Sequence, residues 1–414
     1  LITGSNNTMI GSSSGSSLTS SNNNICIGLD SGQHLTSDCD YNLCLGYKTG
    51  PTTDTSNSSK KIYIDAHGGL VTLYAFTTHT FTNCGATGRN GPTLSQCTSS
   101  YGGSGNWWNN TSYFNVTGAF GVNGIQVWTV PKTGNYTITA KGAREGWAAA
   151  DGGTGEGAIV EATFPLTKGD KYMILVGQMG SAGEGTGNWW ASGGGGGTFM
   201  VKGDDYTNIS LSDALIVAGG GGGSSASSGN VSTTYTGGDG ANSSSNSTGG
   251  GQNSNTGSTN GGSGGAGLIS NAVADHVIYL AYSFKNGGQG GGSSYTDPAG
   301  RGGFGGGGGA GGNPGGGGGG IYGGDWGYSG EQSGTYGNKG GKGGGSHVNS
   351  SGSNITFSTS NNDSHGELII ESLPTSEARG SDAIIYGDQA AQEHTLSFNA
   401  GVTIKKSSTS AGTL

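Results

Sequence analysis

Residues 300–324 read GRGGFGGGGGAGGNPGGGGGGIYGG, the densest part of a chain in which glycine supplies 93 of 414 residues. Ordering a glycine costs roughly 0.5–1 kcal/mol more backbone entropy than ordering an alanine. Glycine on this scale therefore either stays unfolded or is held by strong compensating interactions. Gly/Ser tracts commonly serve as flexible linkers. Here, however, they alternate with short apolar segments such as 215–218 (LIVA) and 277–280 (VIYL), charged residues are only 10%, and prolines number 7. That is not a disordered composition. Burying such tracts requires every backbone N–H and C=O to find a partner. Extended helices of three residues per turn, packed side by side, meet that demand, because only glycine lets backbones approach on every side. Without a Gly-X-Y period and abundant proline the collagen triple helix is excluded, so a lattice of polyglycine helices is expected.

The rest of the composition bounds the architecture. Apolar residues make up 30% of the chain, too few for one large core. Composition shifts divide the sequence into 1–73, 74–373 and 374–414. The formal net charge of −9 and pI near 5.1 argue against nucleic acid or an anionic membrane surface as partner. There is no apolar run of about 18 residues, so direct membrane insertion is not expected. The chain opens on Leu1 with no signal-peptide pattern after it, which reads as a processed product or a fragment.

A repeat occupies the amino-terminal part. Asn7-Thr8-Met9-Ile10-Gly11 recurs as Asn24-Ile25-Cys26-Ile27-Gly28 and Asn42-Leu43-Cys44-Leu45-Gly46, at a spacing of 17 and then 18 residues, with a degenerate copy at Lys61-Ile62-Tyr63-Ile64-Asp65. Short strands with alternating apolar residues, separated by Gly/Ser/Asn turns at a fixed period, predict stacked parallel β-coils whose apolar face needs neighbours to cover it. Cys26 and Cys44 hold equivalent places and are expected in the interior, reduced. The stretch resembles the repeats of trimeric virus and phage fibres and of trimeric autotransporter adhesins. That resemblance implies a homotrimer. A monomeric β-solenoid cap is the alternative.

Farther along, Gly124–Ala143 (GIQVWTVPKTGNYTITAKGA) alternates Ile125, Val127 and Thr129 against Gln126, Trp128 and Val130, then passes a Pro131–Gly134 turn into Tyr136, Ile138 and Ala140. Period-two patterning around a turn predicts a β-hairpin. Further strands are predicted at 158–164, 172–176, 198–201, 215–218 and 367–370, giving a β-sandwich from which the glycine array projects. The ordered blocks CGATGRNGPTLSQC, GIQVWTVPKTGNYTITAKGA, YMILVGQMG, LIVAGGGGG, FKNGGQGGG and GGFGGGGGAGGNPGGGGGGIYGG resemble the extracellular glycine-rich module of the anaplastic-lymphoma-kinase and leukocyte-tyrosine-kinase receptors over about residues 81–372. The resemblance implies a tumour-necrosis-factor-like jelly roll carrying a polyglycine II helix bundle. It does not carry the receptors' activity over, since this sequence shows no kinase domain, growth-factor-like repeat or membrane span. The fold class expected is thus all-β: parallel coils, then the glycine-bearing sandwich, then short carboxyl-terminal strands at 383–386, 395–398 and 402–404.

Candidate ligand residues are the tryptophans of two near-identical tags, Trp107 and Trp108 in GNWWN and Trp189 and Trp190 in GNWWA, together with Trp326 and Tyr328 in DWGY. Such rings can stack on sugars, or they can cover the flank of the glycine array. Cys84 and Cys97 flank a Gly-Pro turn and are the candidate disulfide, worth roughly 3 kcal/mol if formed. Sequons throughout the chain, among them Asn110, Asn115, Asn135, Asn208, Asn230 and Asn354, permit glycosylation in a eukaryotic setting. The histidines are scattered without metal-ligand spacing, and the Gly-x-Gly-x-x-Gly matches are by-products of composition. No catalytic residue, metal or cofactor is expected. The sequence reads as a non-enzymatic surface fibre or spike subunit, extracellular or on a virion or cell surface, that attaches to a host glycan or protein. A purely structural filament or coat protein, and a soluble receptor-like ligand-binding ectodomain, are the alternatives.

Overall fold

The computed structural model describes residues 4–51, 59–64, 74, 76–102, 106–118, 124–146, 155–183, 190–226, 234–235, 262–272, 280–293, 300–311, 314–327, 340–358 and 360–373. For 64, 190, 226, 234–235, 385–388, 394–398 and 402–406 it describes the backbone alone. The chain divides into two compact units, one made of Leu1–Ala75 with Pro374–Leu414 and the other of Phe76–Leu373.

In the first unit, β1 (Thr8–Ile10), β2 (Ile25–Ile27), β3 (Leu43–Leu45) and β4 (Ile62–Ile64) pair in sequence order, all parallel. Asparagine sets the register. The Asn7 Oδ1 accepts from the Asn24 backbone N–H at 2.9 Å, the Asn24 Oδ1 accepts from Asn42 at 2.9 Å, and the Asn42 Oδ1 from Lys61 at 3.1 Å. The first three strands each leave through a glycine at positive φ: Gly11 at 128°, Gly28 at 135° and Gly46 at 122°. A methyl group on Gly11 or Gly28 would land on the carbonyl of the next turn, so the spacing between rungs itself demands glycine. Cys26 and Cys44 face each other in register, fully buried and reduced, in a core with Leu18, Leu35 and Cys39.

The second unit is built on two antiparallel sheets. One comprises β5 (Thr78–Phe81), β8 (Gly134–Lys141), β9 (Ile159–Leu166), β17 (Ser353–Phe357) and β18 (Glu367–Ser372), in the order β17-β9-β8-β18-β5. The other comprises β6 (Phe114–Thr117), β7 (Ile125–Thr129), β10 (Lys171–Leu175), β12 (Thr198–Lys202), β13 (Ala214–Ala218) and β16 (His347–Val348), in the order β16-β13-β12-β10-β7-β6. The sheets meet through β12 and β13 against β8 and β9. Short strands β11 (Trp190–Ala191), β14 (Ser225–Ala226) and β15 (Thr234–Tyr235) form a third small sheet. The helix α1 (Leu94–Tyr101) starts at a reciprocal cap in which Thr93 and Gln96 satisfy each other's backbone. In the first unit's carboxyl-terminal part, β19 (Ile385–Asp388), β20 (His394–Phe398) and β21 (Val402–Lys406) pair antiparallel.

The expected hairpin over 124–143 does not form. Its strands separate into different sheets, β7 between β6 and β10 and β8 between β9 and β18. No residue of the connection takes a positive φ, which a tight hairpin turn requires. Instead the Val130 N–H donates to the Asp170 carbonyl, and the chain crosses from one layer to the other.

The glycine segments are ordered by one another. Along 193–197 successive N–H groups donate to Ser181, Gly308, Gly221, Gln178 and Gly305, so donors three residues apart turn to the same neighbouring segment. The pattern repeats along 316–321, whose donors reach Ser192, Ser263, Lys342, Gly195, Ala266 and Gly345 in turn. Glycine is required sterically here. A methyl on Gly196 would strike the Phe304 carbonyl, and one on Gly318 the Gly220 carbonyl. Leu268, Phe284, Phe304 and Ile321, carried by these segments, pack with Ile125, Met173, Leu175, Phe199, Val201 and Val217 of the six-stranded sheet. The glycine body and the sheet thus share one apolar core. The predicted apolar segment at 277–280 falls, apart from Leu280, outside the described residues.

Candidate recognition and assembly surfaces

Two kinds of surface are available for contact. On the rung stack of the first unit, strand alternation turns Met9, Cys26, Cys44 and Tyr63 inward. It turns Ile10, Ile25, Ile27, Leu43 and Leu45 outward. Ile10 is 56% exposed, Ile25 41% and Ile27 37%, while Leu43 and Leu45 are half-buried. Tyr41 and Tyr47, exposed at 59% and 45%, lie on the adjoining turns. Together these residues form an exposed apolar row along one face of the strands.

The second surface surrounds the first tryptophan tag, Trp107 and Trp108. Trp107 is buried, its ring within 4.8 Å of His79 and 5.5 Å of Trp108 by centroid, with Phe76, Phe81 and Phe114 beyond. It is packed on all sides. Trp108 is half-buried, its Nε1 donating to the Gly102 carbonyl at 2.9 Å and its ring stacked on His79 at 5.6 Å. Of this pair, Trp108 is the ring with an exposed part. Burial among these rings lowers the His79 pKa to about 4, so the imidazole is neutral. Trp190 opens strand β11, Trp326 is buried, and Trp189 and Tyr328 lie outside the described residues.

Cys84 and Cys97 are brought together, both buried and both thiols in the structure, close enough to hydrogen-bond. That bond, with burial, pushes the Cys97 thiol up, so it stays protonated. The sequons at Asn110, Asn115, Asn135, Asn208 and Asn354 are exposed, and Asn230 lies outside the described residues. Among the described residues no group of His, Cys, Asp and Glu is placed to hold a metal ion, and no helix is long and apolar enough to cross a membrane.

Sequence reasoning overlooked one buried acid. Glu145, between the glycine segments, is fully buried, and its Oε2 accepts from the Ser192 hydroxyl and, at 3.4 Å, from the Ser224 N–H, while Oε1 has no partner. Desolvation raises its pKa to about 7. The signal for it was weak: Glu145 is one of several charges scattered along 141–157 (KGAREGWAAADGGTGEG), and nothing in that spacing marks it for burial.

No protein-family model matches the chain. Over 102 residues it is 42% identical to the leukocyte tyrosine kinase receptor of Mus musculus, a stretch covering 24% of this chain and 11% of that receptor. The match supports a relation to the receptor's extracellular module.

Proposed function

We propose that the chain is a non-enzymatic, extracellular recognition protein, a trimeric fibre or spike subunit whose stacked parallel coils form a shaft or collar and whose glycine-bearing sandwich is the head that attaches to a host-surface glycan or protein. The observation that carries the reading is the outward apolar face of the rung stack, with Ile10, Ile25 and Ile27 exposed on successive strands. Covering it with further copies of the same repeat removes that surface from water and gives each rung equivalent neighbours. The period-three hydrogen bonding of the glycine segments supports a bundle of polyglycine II helices, a stiff body rather than a tether.

Light scattering after size exclusion tests the assembly. Its expected mass is three times the 40.8 kDa chain, independent of dilution, and Ile27→Asp is expected to shift it toward monomer. A wild-type monomer at all concentrations would overturn the trimer. The partial identity to the receptor favours a second reading, a receptor-like ectodomain that binds a protein ligand; a monomer with a saturable protein partner would select it.

A further inference from the structure

The rung stack of the first unit is open at the end that carries β1. In the second rung the N–H groups of Asn23, Gly28 and Asp30 donate to the carbonyls of Ser5, Ile10 and Ser12 in the rung before, at 2.9, 2.7 and 2.9 Å, and that of Asn24 donates to the Asn7 Oδ1. The third rung repeats this, with Tyr41, Gly46 and Lys48 on the carbonyls of Asn22, Ile27 and Leu29 and Asn42 on the Asn24 Oδ1. The corresponding donors of the first rung are Asn6, Gly11, Ser13 and Asn7, and none of these N–H groups has an acceptor among the described residues. Thr8 and Ile10 turn their main chain toward the second rung, through the Asn24 carbonyl and the Gly28 N–H. Between them, the Met9 N–H and C=O therefore point away from it. With β1 outermost in its sheet, this is an open strand edge.

That edge is already shaped to take another rung. Asn6 at φ 59° matches Asn23 at 58° and Tyr41 at 61°, and Ser13 at 54° matches Asp30 at 55° and Lys48 at 54°. Both corners of the first rung thus hold the conformation of the rungs paired on both sides, which lowers the ordering entropy that docking costs. Burial marks the same end: Asn7, Met9 and Ser14 are half-buried where Asn24, Cys26 and Ser31 are buried. The Ser14 and Ser31 hydroxyls donate to the Cys26 and Cys44 carbonyls of the rung after each, at 2.8 and 2.9 Å. By that rule the Met9 carbonyl is placed to accept from a hydroxyl of a rung before it.

A second copy of the chain fits this edge poorly. Two β1 edges related by a two-fold axis run antiparallel, which reverses the order of donors and acceptors that the rungs share. The rungs of a copy are paired with one another, and at the far end of its stack β19 lies against β4. What fits is a separate strand running parallel, with the spacing common to the rungs: an asparagine, an inward apolar residue two positions later, a glycine after four and a hydroxyl after seven, as in Asn24, Cys26, Gly28 and Ser31. We propose that the β1 edge docks a strand of a partner polypeptide carrying this motif, parallel to β1, with its asparagine on the Asn7 N–H and its hydroxyl on the Met9 carbonyl. Main-chain bonds supply the affinity and the asparagine fixes the register. The strand adds along the stack axis, whereas trimer copies cover the outward faces, so the proposal does not depend on the trimer.

Amide hydrogen exchange of the full chain, followed residue by residue with and without a synthetic peptide copying residues 5–18, tests it. The peptide carries the motif in Asn7, Met9, Gly11 and Ser14 and contains no cysteine. In the chain alone the amides of Asn6, Asn7, Met9, Gly11 and Ser13 are expected to exchange fast while those of Asn24, Gly28 and Asp30 are protected. Saturating peptide is expected to slow the first set about tenfold or more. The peptide bearing Asn7→Ala, which loses the bond to the chain's own Asn7 N–H, is expected to bind about five- to tenfold more weakly, and a scrambled peptide not at all. These changes sit in the peptide, so the folding of the chain is untouched. Edge amides that are protected in the chain alone, that exchange equally with and without peptide, or that respond equally to the scrambled one would overturn the proposal, as would equal affinity of the Asn7→Ala peptide. A trimer mass without peptide protection would leave the assembly reading standing and remove this one.

Discussion

Glu145 and His79 are buried titratable groups whose pKa values move in ways that affect stability with opposite sign. Glu145 holds its proton up to about pH 7 in the folded chain against an ordinary value of 4.5. Between those values the folded state binds more protons than the unfolded one, so its contribution to stability falls as pH rises. His79 titrates near 4 when folded against 6.5 when unfolded. Its contribution is complete above about 6.5 and is lost as pH falls toward 4. Thermal midpoints measured from pH 4 to 8 check both. Glu145→Gln is expected to gain on the parent as pH rises from about 4.5 to 8, and His79→Phe to lessen the parent's loss on acidification from 6.5 to 4. A variant-to-parent difference that is flat across pH would contradict the assignment for that residue.

At the scale of elements, two glycines separate backbone conformation from packing. Gly169, in the turn between β9 and β10, sits at φ 86° with open space around its Cα. Gly169→Ala therefore meets only left-handed strain, about 1–2 kcal/mol. Gly196, whose added methyl would collide with the Phe304 carbonyl, meets a rigid backbone. Gly196→Ala is expected to cost about 1–3 kcal/mol or more and to loosen Gly194 and Gly195 beside it. Denaturant unfolding of the two variants, compared with the parent, checks the order. A smaller loss for Gly196→Ala than for Gly169→Ala would count against the packed array. The strands β9, β10, β12, β13 and β18 were legible in the sequence because each alternates or runs apolar between turn residues. The helix α1 was missed although Thr93 and Gln96 spell a capping box, because SQCTSS carries little apolar periodicity. Strand β5 was missed because its sequence, Thr-His-Thr-Phe, buries only Phe81 fully.

At the scale of the whole molecule, the glycine segments are tied into the fold through Phe304, Leu268 and Ile321 in the sheet's core and through carbonyls of segments far apart in the chain. Hydrogen exchange is expected to show protection across 302–308 and 315–321 comparable to that of β12 and β13. Exchange there at free-peptide rates while the strands stay protected would refute a single cooperative body.

The sequence by itself determined the all-β class and the repeat register, with its inward cysteines; the asparagine ladder that holds that register came only with the structure. It also showed that the glycine tracts need one another, since periodicity and the absence of side chains are local facts. The tertiary structure alone decided that the strands flanking Pro131 part into different sheets and that Trp107 packs inside a cage of rings. These outcomes depend on which distant backbones approach within hydrogen-bonding reach, and no spacing along the chain encodes that distance.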